Sequence, residues 1–125
     1  MAVKDVHLGE IVDVDFYFAD KDETLHHPGV VVSTSSLKEK EDGMIYVLLI
    51  SSKNIHPQYT IPLTDEMVTK PLGKKSYFVT HFLMYFSLDE VNFSYGRAVR
   101  QHYLDQIISK TIDSIFGWQV SLDEE

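Results

Sequence analysis

Residues 9–33, GEIVDVDFYFADKDETLHHPGVVVS, decide how this chain is read. Val12, Val14 and Phe16 alternate with Asp13 and Asp15. A period of two puts apolar side chains on one side of an extended strand and carboxylates on the other. Residues 30–32 are all valine and follow Pro28-Gly29, which reads as a second, more buried strand. Between them lies a polar, acid-rich stretch, and its length suggests a wide mouth rather than a tight hairpin.

Outward from this pair the β character continues. Residues 44–50, MIYVLLI, form a near-continuous apolar run expected to be a central strand, with Asp42-Gly43 as a turn signal before it. Together with residues 30–35 it reads as a hairpin whose charged tip is residues 38–42. Residues 59–63 make a fourth strand, which Pro62 assigns to an edge or a strand end. Residues 70–75, KPLGKK, form a basic turn, and residues 77–86 form a long aromatic strand with room to bend.

The period then changes. Ser87-Leu88-Asp89-Glu90 has the S-x-x-E form of a capping box and opens a short helical turn. Tyr103, Leu104, Ile107, Ile108, Ile112, Ile115 and Phe116 recur at spacings of three and four, which predicts an amphipathic C-terminal helix stopped by Gly117. Strands followed by a helix give an α+β class. The 125 residues fit a single domain, 1–125, with residues 118–125 as a frayed acidic tail.

Composition narrows the chemistry. There is no cysteine, so disulfides, thiolate catalysis and cysteine zinc sites are excluded. No apolar run approaches a membrane span, and MAVKDVHLGE lacks the apolar stretch of a signal peptide, so a cytoplasmic protein away from membranes is expected. The net charge of −8 opposes nonspecific nucleic-acid binding and leaves room only for a local basic site.

The order of these features resembles the MazF/PemK family of toxin ribonucleases. Gly9, Glu10, Ile11, Val14, Asp15 and Phe16 match its first strand, and residues 28–33, PGVVVS, match its second. The hydrophobic run ending in Ser51-Ser52, the Ser76 before the long strand, Gly96 and the Gly117-terminated helix follow in family order. The resemblance implies a small SH3-like β-barrel of about five strongly curved strands with the helix covering one opening. It further implies a homodimer, whose interface would use the aromatics between Tyr77 and Tyr95, and a cognate antitoxin.

The activity implied is metal-independent, cofactor-free cleavage of single-stranded RNA, in which the 2′-hydroxyl attacks the adjacent phosphate. The family's arginine before the proline is replaced here by His27, and its hydroxyl residue after the third strand corresponds to Ser51. An imidazole serves as acid, base or cation near neutral pH, without arginine's bidentate fork. His81, where many members carry acidic and amide residues, is the expected second imidazole of an acid–base pair. Ser52, Lys53, Lys74 and Lys75 are the expected RNA contacts, gathered in one basic patch. Two other readings stay open. One is a catalytically inactive module of the same fold that binds a protein. The other is a metal site from His26, His27, His56 and His81, disfavoured by the lack of ligand spacing.

Overall fold

The computed structural model describes residues 5–117. The expected acidic tail at 118–125 lies outside the described residues. Six strands form one antiparallel sheet: β1 Glu10–Phe18, β2 Glu23–Val31, β3 Met44–Ser51, β4 Thr60–Leu63, β5 Ser76–Ser87 and β6 Phe93–Ala98. Their spatial order is β4-β5-β3-β2-β1-β6. A short helix α1, Ser35–Lys40, joins β2 to β3, and α2, Gln101–Phe116, ends the described chain.

β1 and β2 pair from Ile11↔Val30 out to Phe18↔Glu23, so the connection is only residues 19–22. The expected wide mouth is therefore a hairpin. Polar Glu23 and Thr24 extend β2 because their partners Phe18 and Tyr17 hold them in the ladder. The charged tip expected between β2 and β3 is instead α1. Thr34 caps it by accepting a hydrogen bond from the Leu37 N–H. β4 is an edge strand, as Pro62 requires, since proline cannot donate to a second neighbour. The capping box is present, with Ser87 and Glu90 closing the short turn Leu88–Glu90.

Both sides of the sheet bury apolar residues. On one side, Val12, Val14 and Phe16 of β1 meet Val47 and Leu49 of β3 and Phe86 of β5. On the other, Ile11, Val30, Leu48, Ile50 and Phe78 lie beneath Leu104 and Ile107 of α2. The sheet curls over the first core, and Leu88 of the short turn Leu88–Glu90 packs against it. β1 lies three strand positions from β5, which is about 14 Å in a flat sheet. Yet the Phe16 ring is 5.6 Å from Phe82 and 5.5 Å from Phe86.

The sheet is six-stranded rather than about five, and its ladder is open, with β4 and β6 as its ends. β6 was hidden in sequence by Gly96 and by its lack of alternation. An isolated Val68↔Val99 bridge, with Thr69 N–H donating to Ala98 and Arg100 N–H to Met67, links the chain beyond β4 to the chain beyond β6.

α2 starts and stops as expected, with Gly117 in the left-handed region at φ 52°. Its apolar face is only partly used. Leu104 and Ile107 are buried, whereas Ile112, Ile115 and Phe116 are exposed. Among the described residues no helix is long and apolar enough to cross a membrane.

Candidate active site

The middle of β1 and β2, the end of β3, β6 and the turn before β5 enclose a cleft of about 310 Å³. β2 contributes His26, His27 and Pro28; β3 contributes Ile50 and Ser51, followed by Ser52. Asp13 of β1, Lys74, Ser76 and Tyr95 of β6 complete the wall. The cleft thus brings together His27, Ser51, Ser52 and Lys74, four of the residues picked out by sequence. Ser51 is buried, and its Oγ accepts the Lys53 N–H at 3.1 Å, which fixes the hydroxyl at the strand end.

The other three expected residues are elsewhere. Lys53 and Lys75 are exposed and do not line the cleft, so the expected basic patch reduces there to Lys74. His81 is not in the cleft wall either. Between the pairs Leu48↔Leu83 and Ile50↔Phe78, β3 has one residue and β5 has four. Such a bulge re-aims side chains. Here it sets the His81 ring 5.3 Å from His56 and 4.9 Å from Tyr59. The expected His27/His81 pair is therefore not assembled in the cleft.

His27 is opposite Val14 and packs its ring 5.4 Å from Phe18, on the side of the first core. Burial holds its imidazole below the ordinary value; the Ile50 backbone opposes this, and Lys74 reinforces it. Burial thus disfavours the charged form that would stand in for arginine. Lys74 is the cation of the cleft.

Sequence reasoning missed a polar cluster on the opposite side of β2. The register places His26 across from Asp15, and Pro28 across from Asp13. Asp13 is buried because β1 is flanked by β2 and β6. His26 Nδ1 is 2.7 Å from Asp15 and 3.3 Å from Asp13. The Asn92 amide nitrogen lies 2.9 Å from each carboxylate. Tyr95 donates its hydroxyl to Asp13 at 3.4 Å, and burial, then the Asp13 charge, raises its phenol above the ordinary range. The alternation of Asp13 and Asp15 was the available signal; the partner strand's register was not. Among the described residues, Asp13, Asp15 and His26 are the group whose donor atoms converge closely enough to hold a metal ion.

The curled antiparallel sheet followed by a C-terminal helix is the fold of the MazF endoribonuclease toxins. The chain superposes on MazF from Deinococcus radiodurans with a TM-score of 0.69 at 12% identity, covering 87% of this chain and 94% of that one. An endoribonuclease from a Mycobacterial species, solved with its cognate antitoxin, gives 0.65 at 11% identity over 90% and 96% of the two chains. The Mycobacterium tuberculosis toxin MazF-mt6 gives 0.61 at 10% identity over 86% and 96%. No protein-family profile and no curated protein sequence matches the chain.

Proposed function

We propose that this chain is a MazF/PemK-like toxin, a metal-independent and sequence-selective endoribonuclease acting on single-stranded RNA. In this reading it is a cytoplasmic homodimer held inactive by a cognate antitoxin. The observation that carries the reading is the meeting of His27, Ser51, Ser52 and Lys74 in one cleft of a MazF fold. The 2′-hydroxyl attacks the neighbouring phosphorus and the 5′-oxygen departs, leaving a cyclic phosphate and a 5′-hydroxyl. Charge builds on the phosphate oxygens, and donors aimed there lower the barrier. Lys74 supplies the positive charge, which burial disfavours on His27. Ser51 and His27 are further partners for the same phosphate.

A second reading is favoured by the burial that disfavours a charged His27 and by the net charge of −8. It keeps the fold as a noncatalytic module whose cleft binds a protein. The two separate on incubation of purified protein with a long single-stranded RNA in EDTA. Discrete fragments with 5′-hydroxyl ends, diminished in Ser51→Ala, Lys74→Ala and His27→Ala, are expected for the enzyme. Intact RNA at high protein concentration rejects it in favour of the protein-binding module.

A further inference from the structure

The cleavage reaction needs a base for the 2′-hydroxyl; His27 packs its ring against Phe18, and His81 lies outside the cleft wall. We propose that His26 is the general base, oriented by Asp15 and Asp13; this assignment rests on the ribonuclease reading above. Its tautomer follows from counting donors. The Asn92 amide nitrogen is 2.9 Å from Asp13 Oδ2, 2.9 Å from Asp15 Oδ1 and 3.1 Å from His26 Nδ1, while the Asp15 carboxylate only accepts. The 2.7 Å approach of His26 Nδ1 to Asp15 Oδ1 then requires the imidazole proton to sit on Nδ1. Nε2 carries the lone pair, and no described residue hydrogen-bonds to it.

The arrangement is a nucleophile-activating base held by a third group, the logic of a carboxylate–imidazole dyad. Asp13 is the fixed end. It is 5% exposed, flanked by strands on both sides, and held by Asn92 and Tyr95. The His26 side chain is 71% exposed at the cleft wall, so a bound strand can reach it without displacing core. In the step, the 2′-hydroxyl proton passes to Nε2 and the 2′-oxygen bonds to phosphorus. The bond from phosphorus to the 5′-oxygen then breaks. The 5′-oxygen takes a proton from water, and the resulting hydroxide recovers the proton held by His26. Lys74 faces the phosphate throughout.

The test uses the full chain and a single-stranded RNA oligonucleotide in EDTA. Affinity is read separately with a 2′-O-methyl version that cannot react. His26→Ala and His26→Asn should each lower kcat by about 100-fold or more, the usual contribution of a positioned base, with affinity unchanged. Added imidazole should restore part of the rate in His26→Ala. Asp15→Asn, which can offer an amide N–H and so reverse the tautomer, should give a loss of comparable size in kcat alone. His102→Ala, on exposed α2 away from the cleft, serves as the control with unchanged rate.

Near-wild-type kcat in both His26 variants overturns the assignment while leaving the ribonuclease in place. So does a parallel loss of rate and affinity without imidazole rescue, which marks a structural or binding role. Cleavage that stops in EDTA and returns with a divalent cation also overturns it, because Asp13, Asp15 and His26 would then be ligands. RNA left intact by the wild-type chain rejects the ribonuclease reading itself.

Discussion

Replacing Gly29 with alanine should be among the most damaging single-methyl changes available to this fold. Gly29 lies between Val12 of β1 and Leu49 of β3, where both neighbouring strands are hydrogen-bonded to β2. A Cβ built there meets Val47 Cγ1 at 2.4 Å, the Leu48 carbonyl oxygen at 2.9 Å and Phe16 Cζ at 3.0 Å. The first contact falls about 1 Å inside the ~3.5 Å at which carbon atoms attract. Relief requires movement of Val47 and Phe16, both fully buried, or of the β3 backbone. Overpacking a filled core costs about 1–3 kcal/mol, occasionally more, and three simultaneous clashes place this site at or above the upper end. The loss of unfolded-state freedom on Gly→Ala returns about 0.4–1 kcal/mol. A net loss of about 2–3 kcal/mol follows, equivalent to about 8–12 °C in Tm at ~4 °C per kcal/mol.

Urea and thermal unfolding followed by circular dichroism measure this directly. A double-mutant cycle with Val47→Ala tests the cause. Removing Val47 Cγ1 costs about 2 kcal/mol by itself, yet it opens the space the new methyl needs. The double variant should therefore be about 1–2 kcal/mol more stable than the sum of the singles predicts. It should not recover fully, because Leu48 and Phe16 still press on the site. A loss below ~1 kcal/mol for Gly29→Ala, or strict additivity in the cycle, would refute the reasoning.

Two further outcomes concern charge. Lys38 is 9% exposed and donates to the Val6 carbonyl at 2.6 Å and to Asp5; Lys38→Met should cost about 1–3 kcal/mol, read by urea unfolding, because the buried carbonyl loses its donor. The Lys38 hydrogen bond holds Asp5 below the ordinary carboxylate value of 3.8, so this contribution is complete above that value and fades as pH falls through it. The stability difference between wild type and Asp5→Asn should therefore shrink on acidification, and a difference that stays constant would count against the pair. His27 and His81 both titrate below the ordinary 6.5 because burial disfavours their charged forms. The unfolded chain then binds more protons just under that pH, so stability should decline as pH drops from about 6.5. His27→Gln/His81→Gln should flatten this decline in unfolding midpoints; an unchanged slope would reject the burial effect.

The sequence carried the strands whose neighbours are apolar on one side, because alternation and β-branching directly record which side is buried. Val12, Val14 and Phe16 in β1 and the run in β3 were legible for that reason, and α2 with its Gly117 stop was legible from its period. β6 was not, since an edge strand containing Gly96 and exposed Phe93 buries too little to impose a pattern. In the site, Ser51 and Ser52 were reached through the family resemblance, and Lys74 through its basic turn. His81 could not be placed, because a bulge in β5 is written in the pairing of two strands distant in sequence. His26 was read only as one of four possible metal ligands, and not as a partner of Asp15, for the same reason. Adjacent residues on a strand face opposite sides, and only the register with β1 reveals which of the two meets Asp15.

That register has a consequence for how the chain can vary. Asp13, Asp15 and His26 belong to the two arms of one hairpin, and their meeting depends on an even–odd relation between those arms. The residues at its tip, 19–22, lie beyond the last pair, Phe18↔Glu23, and take no part in that relation. Insertions at the tip leave the carboxylates and the imidazole facing one another. A single residue removed between the tip and this pair would instead bring His27 (deletion in β2) or Leu25 (deletion in β1) opposite Asp15 and turn the apolar set outward. Length is therefore free to drift at the tip and nearly frozen in the arms, so this hairpin separates the part of the protein that can be remodelled from the part that cannot.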